Sequence, residues 1–188
     1  VAAFVQAAGT RMRSGKPDRI AGQTVGAESR APVRGARVSL RRAEAPEAEA
    51  TWVDAPDGAF AFDGLAAGAW ALRIDAPEHQ PREALLTVPH DGHLDGARFA
   101  VVAWRSRIRD VFVTSLTRRG VGAPWGRVTP QEALLAARRQ APGAPLAGVT
   151  EAASLVEAVW FAQRAADQEA FEATCRAVAR DESAEDAA

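Results

Sequence analysis

Apolar and polar positions alternate along the first part of the chain. Phe60 and Phe62 alternate with Ala59, Ala61 and Asp63, and Trp70, Leu72 and Ile74 alternate with Ala71, Arg73 and Asp75. Successive strand side chains point to opposite faces, so each run predicts a strand with one buried face. Between the runs, Gly64 and Gly68 supply backbone freedom for a connection, and Asp57-Gly58 ahead of the first is a hairpin signal. Similar runs predict strands over residues 20–25, 36–42 (Val38 and Leu40 inward), 82–88, 96–103 (Phe99 and Val101 on one face) and 107–116. Residues 43–50, 77–81 and 89–96 read as loops. About seven short strands with frequent turns predict an antiparallel β-sandwich.

The pattern changes at Arg118. Gly120, Gly122, Pro124 and Gly126 form a linker, and Thr129-Pro130-Gln131-Glu132 opens a helix with a capping box and proline at its first position. Leu134, Leu135 and Ala137 are expected to face inward, and the helix to end near Gln140. Thr150 is expected to cap a second helix whose apolar face is Leu155, Val156, Val159 and Trp160. Asp167 is expected to cap a third, in which Phe171, Thr174, Cys175 and Val178 share a stripe. Helices this short are marginal alone, so they are expected to pack on each other or on the sandwich through Trp160, Phe161 and Phe171. Residues 181–188 are acidic and small, the composition of a disordered tail. The domain reading is an arm at 1–17, a sandwich at 18–117, a linker at 118–128, a three-helix appendage at 129–180 and the tail.

The order of residues in the central stretch is more particular than its periodicity. Asp57-Gly58, Phe60, Phe62, Leu65, Gly68, Trp70 and Leu72 resemble the run D-G-x-F-x-F-x-x-L-x-x-G-x-Y-x-L of carboxypeptidase regulatory-like domains, with Trp70 in place of the usual Tyr. Upstream, Gly22, Val25, Pro32-Val33, Gly35-Ala36, Val38 and Leu40 resemble the opening of the same family. The resemblance covers about residues 18–116 and implies a transthyretin-like (prealbumin-like) sandwich. Such modules are accessory parts of many unrelated proteins, so it implies a fold more than a function. The start of the helical part (T-P-Q-E-A-L) and L-V-E-A-V-W-F faintly resemble a helical domain at the end of some bacterial membrane-anchored transglutaminase-like proteins.

Composition adds bounds. The 188 residues are 47% apolar and 25% charged, as in an ordinary globular protein, and the net charge of −1 gives no bulk basic surface for nucleic acid. Lys16 is the one lysine, and Asn and Tyr are absent while Ala and Arg abound, which reads as GC-rich bacterial base composition. Cys175 is the single cysteine, which rules out an intramolecular disulfide and a cysteine-cluster zinc site. No run of eighteen apolar residues is present. Residues 1–9 are apolar and precede a basic run, read first as an arm packed on the body and second as the flank of a membrane anchor.

Candidate chemistry is sparse. His90 and His93, with His79 earlier in the chain, are the one concentration of ligand-type residues, and Asp91-Gly92 between them is what a turn requires. Asp54, Asp57 and Asp63 lack the spacing of a calcium loop. Neither a nucleophile elbow nor a phosphate loop occurs, and Cys175 in an apolar stripe reads as a packed thiol. No cofactor and no metal is therefore expected. Trp104, Arg105 and Arg107, and Trp125 and Arg127, place indoles beside guanidinium groups, a pairing found in contact surfaces and equally in lids over a small core.

These observations lead to the expectation of a non-enzymatic protein-interaction or structural module of a bacterial cell envelope or multi-protein assembly. Trp104, Arg105, Arg107, Trp125 and Arg127 are its candidate binding residues. A protein partner or a homo-oligomer is expected and nucleic acid is not; membrane contact would require an anchor ahead of Val1. The periplasm or envelope is favoured because the resembled modules are mostly exported, with the cytoplasm left open. The alternative is a carbohydrate-binding accessory module of an envelope enzyme, which would show a row of exposed aromatic rings on one face. An enzyme would show a pocket holding two or more of His79, His90 and His93.

Overall fold

A computed structural model describes residues 19–45, 47, 49–88, 93–122 and 125–186. The chain divides between Val102 and Ala103 into two compact units.

The first unit is a β-sandwich. Its strands are β1 (Arg19–Gly26), β2 (Ala36–Arg42), β3 (Thr51–Ala55), β4 (Ala59–Asp63), β5 (Gly68–Asp75), β6 (Arg82–Val88) and β7 (His93–Val101). One sheet has the order β4-β1-β7 and the other β3-β2-β5-β6. All pairings are antiparallel except β1 with β7, which run parallel, so the sandwich is not the wholly antiparallel one expected. The alternation read from the sequence is what closes the core. Ile20, Phe60, Phe62, Phe99 and Val101 from one sheet meet Val38, Leu40, Leu72, Ile74 and Val88 from the other. Each such fully buried side chain contributes about 1.5–3 kcal/mol of transfer free energy.

Two glycines are required by this packing. A Cβ on Gly22 would lie 2.8 Å from the Ala97 carbonyl oxygen and 2.9 Å from the Phe99 ring, where β1 and β7 shift register. Gly58 has φ +85°, and a Cβ there would lie 2.8 Å from the Val33 carbonyl oxygen. Its turn is made by the Asp57 carboxylate, which accepts the Ala59 N–H at 3.1 Å. Trp70 sits at the core margin, where its indole N–H donates to the Ala66 carbonyl at 3.0 Å and the Arg42 guanidinium lies 5.0 Å from its ring centre.

Among the described residues the second unit holds four helices, one more than expected: α1 (Trp104–Arg118), α2 (Pro130–Gln140), α3 (Ala147–Trp160) and α4 (Gln168–Asp186). The strand expected over residues 107–116 is a helix, and residues 103–117, read as part of the sandwich, belong to the helical unit. Trp104, Ile108, Phe112 and Leu116 are buried at four-residue spacing, which is one face of a helix. The strand reading rested on the apolar positions Ile108 and Val111 to Val113, and burial of the four-residue stripe decides for a helix instead. Gly120 (φ +77°) ends α1 in a Schellman motif. Its N–H donates to the Thr117 carbonyl and that of Val121 to the Leu116 carbonyl, each at 3.0 Å.

Helix α2 has the expected capping box. The Thr129 hydroxyl accepts the Glu132 N–H at 3.2 Å, while the Glu132 carboxylate accepts the Thr129 N–H at 2.8 Å. Leu134 and Ala137 are buried, but Leu135, expected inward, is exposed. The Thr150 cap is not formed, because α3 starts at Ala147 and the Thr150 hydroxyl donates to the Leu146 carbonyl at 2.6 Å. The start of α3 is closed instead by Asp181, a residue of the expected disordered tail. Asp181 lies within α4, is buried, and accepts the Gly148 and Val149 N–H groups at 2.8 Å each. Residues 181–186 are therefore helical. A carboxylate at a helix N-terminus meets both the free N–H groups and the positive end of the dipole. Asp167 caps α4 as expected, accepting the Ala170 N–H at 2.8 Å. The expected arm, 1–17, lies outside the described residues.

Candidate functional site

The five candidate binding residues do not form one patch. Trp104 is 8% exposed and packs on Phe171 with ring centres 5.5 Å apart, so its face is unavailable to a partner. The Arg107 guanidinium lies 5.5 Å from the Phe171 ring centre, covering the same stack. Arg105 points to the other flank of α1, where it lies 5.2 Å from the centre of the Trp160 ring. Trp125 joins it there, packed edge-on against Trp160 at 5.3 Å with the planes at 64°. Arg127 is exposed, two residues beyond.

Trp160, absent from the expected set, is the hub. Its indole N–H donates to the Arg105 carbonyl at 3.1 Å, which fixes the ring against the first turn of α1. Arg109, one turn along, completes the arrangement. Its guanidinium lies 5.9 Å from the Trp125 ring centre and 5.8 Å from that of Trp160, and it pairs with Asp110 at 2.7 Å. Cation–ring contacts of this kind contribute about 0.5–1 kcal/mol each at exposed sites, and the indole pair about 0.5–1.5 kcal/mol. Trp160 was visible in the sequence as the last apolar position of α3, but nothing there brought residue 105 beside it. Trp160 and Phe171 pack against the helical core as expected, but Phe161, expected to pack with them, follows the end of α3 and is 65% exposed.

The other candidates fall apart into local structure. His90 lies outside the described residues, as does the side chain of His93. The His79 ring makes a 2.6 Å hydrogen bond from Nδ1 to the Pro77 carbonyl. Asp54 and Asp63 pair with Arg37 at 3.8 Å and Arg19 at 3.3 Å, and Asp57 serves its turn. Among the described residues no three His, Cys, Asp or Glu side chains come together as metal ligands. Cys175 is half-buried on α4, and burial raises its thiol above the ordinary value against the pull of Arg107. A thiol held protonated is a weak nucleophile.

The outward face of the four-stranded sheet carries one large exposed ring among the described residues. Trp52 is 43% exposed, with the Arg37 guanidinium 4.6 Å from its centre. A row of exposed aromatic rings is not found on this face among the described residues. Arg73 binds Asp75 there through Nε at 2.9 Å and lies 3.7 Å from Glu83, which raises its pKa above the usual arginine value.

No family model and no curated protein matches the chain. Solved structures do. A streptococcal ancillary pilin is 16% identical, over 47% of this chain and 30% of that one, with a TM-score of 0.40. The pilus 2b backbone protein of group B streptococcus is 12% identical, over 46% and 41%, with a TM-score of 0.36. Klebsiella pneumoniae 5-hydroxyisourate hydrolase is 17% identical, over 46% and 90%, with a TM-score of 0.36. The chain thus spans less than half the length of either pilus protein.

Proposed function

We propose that this chain is a non-enzymatic protein-interaction or structural module, working in a bacterial cell envelope or another multi-protein assembly. The observation that carries the reading is the packed cluster of Arg105, Arg109, Trp125 and Trp160 beside exposed Phe161. Arginine and tryptophan are the residue types that dominate interface energetics, and here Trp160 is hydrogen-bonded to the Arg105 carbonyl and packed on Trp125. The envelope placement rests on the resemblance of the sandwich strands to mostly exported modules. The partner is a protein, either another chain or a second copy of this one, and not a nucleic acid.

The test is the mass of the purified chain by light scattering, alone and after incubation with extract of its own source. A discrete oligomer or a stoichiometric protein complex is the expected result. A monomer that captures nothing overturns the reading.

A further inference from the structure

Helix α4 changes character at Val178. Up to that residue its hold on the helical unit is apolar: Ala170, Ala177 and Val178 are buried, and Phe171 packs on Trp104. Beyond it, residues 179–184 bury no apolar side chain, and Asp181 is the one buried residue among them. Three successive residues tie this stretch to other helices, and all three do so by charge. Arg180 pairs with Glu151 of α3, Asp181 accepts the Gly148 and Val149 N–H groups at the start of α3, and Glu182 pairs with Arg118 of α1. Ala179 and Ala184 are exposed, and the Ser183 hydroxyl donates back to the Ala179 carbonyl of its own helix.

The start of α3 relies on the same contact. Leu146, at the cap position, supplies no side-chain hydrogen bond. Asp181 is therefore the side chain that takes the first free N–H groups of α3, those of Gly148 and Val149. Gly148 lies between the packed and the charged part of α4: a Cβ on it would run into the Ala177 carbonyl and come within 3.1 Å of the Asp181 carboxyl carbon.

We infer that residues 179–184 are a strap that opens as one piece while the rest of α4 stays packed, and that its opening uncaps α3. Segments with few buried apolar contacts open locally at a lower free energy than the core they border. Arg180, Asp181 and Glu182 lie within one helical turn, so one movement of that turn releases all three contacts. The two exposed ion pairs weaken as salt rises, and the buried Asp181 contact is screened much less. Whatever draws the strap away also loosens the first turn of α3. This inference stands apart from the interaction-module reading.

The test is amide exchange of the full chain, followed residue by residue by NMR. Gly148, Val149 and residues 180–182 are expected to share one protection factor, about tenfold or more below those of Val156, Thr174 and Ala177. Arg118→Ala removes the hold of α1 on Glu182 at a largely exposed position, so folding is not at stake. It should speed exchange at Gly148 and Val149, whose N–H groups bond to Asp181 and not to Arg118, by about two- to fivefold, with Val156 unchanged. Asp181→Asn keeps an acceptor oxygen and loses the charge; it should speed exchange at Gly148, Val149 and residues 180–182 together. Gly148 and Val149 unmoved by Arg118→Ala would overturn the inference, because the cap would then release without the strap. Equal protection of residues 180–182 and 171–178 would overturn it too. So would a graded loss from residue 184 inward with Gly148 and Val149 protected like Val156, which is ordinary fraying of a helix end.

Discussion

Two residues show how local chemistry fixes the helical unit. Gly148 lets α3 lie directly on α4: a Cβ there would fall well inside van der Waals contact with the Ala177 carbonyl. Backbone cannot move aside as a side-chain tip does, so Gly148→Ala is expected to destabilise the helical unit by about 1–3 kcal/mol. Urea unfolding followed at the helical circular dichroism band checks this, and an unchanged midpoint contradicts it. Glu132 titrates. Hydrogen bonds from the Thr129 backbone N–H and hydroxyl hold its pKa below the usual glutamate value. The unfolded state therefore binds the proton more readily, so the cap contributes fully above the ordinary glutamate pKa and is lost as pH falls through the lowered one. Amide exchange at Glu132 and Ala133, run from neutral pH to pH ~3, should show α2 fraying in that window. Glu132→Gln, which cannot ionise, should abolish the pH dependence beyond the intrinsic one, and identical profiles would refute it.

At the scale of elements, strands were legible because period two is unambiguous when one face is buried. Phe60, Phe62, Leu72 and Ile74 all lie where the alternation places them. Helix α2 was legible through Thr129 and Glu132, whose side chains can be matched to backbone groups from spacing alone. Helix α1 was not. Its stretch mixes valines with a four-residue stripe, and the stripe begins at Trp104, ahead of the segment that reads as β. The end of α4 was missed for a different reason. Asp181 looks like a solvated acid until the start of α3 is brought to it, a contact across more than thirty residues. The helical reading of α1 makes a divided prediction. Phe112 is fully buried and Thr114 exposed. Phe112→Ala should cost about 3–5 kcal/mol, and Thr114→Ala less than about 0.5 kcal/mol. In a strand both would face the core, so a large loss at both positions in chemical denaturation would contradict the helix.

At the scale of the molecule, each unit has its own core. The sandwich closes on Phe99 and its neighbours, and the helices close on Ile108, Phe112, Leu134 and Val156. The sequence marked arginine and tryptophan as the residues to watch, and two of the five it singled out, Arg105 and Trp125, meet at Trp160. It could not choose between contact surface and lid, because that choice depends on which flank of α1 each side chain occupies. Trp104 became core and Arg105 became surface, one residue apart.

The proposed contact surface is the C-terminal end of α3. Its most direct test is hydrogen–deuterium exchange of the chain alone and in the assembly it forms. New protection is expected in residues 104–109, 125–128 and 158–164, with the outward face of the β3-β2-β5-β6 sheet unchanged. Protection confined to the sandwich strands, with those helical segments exchanging as in the free chain, would contradict it.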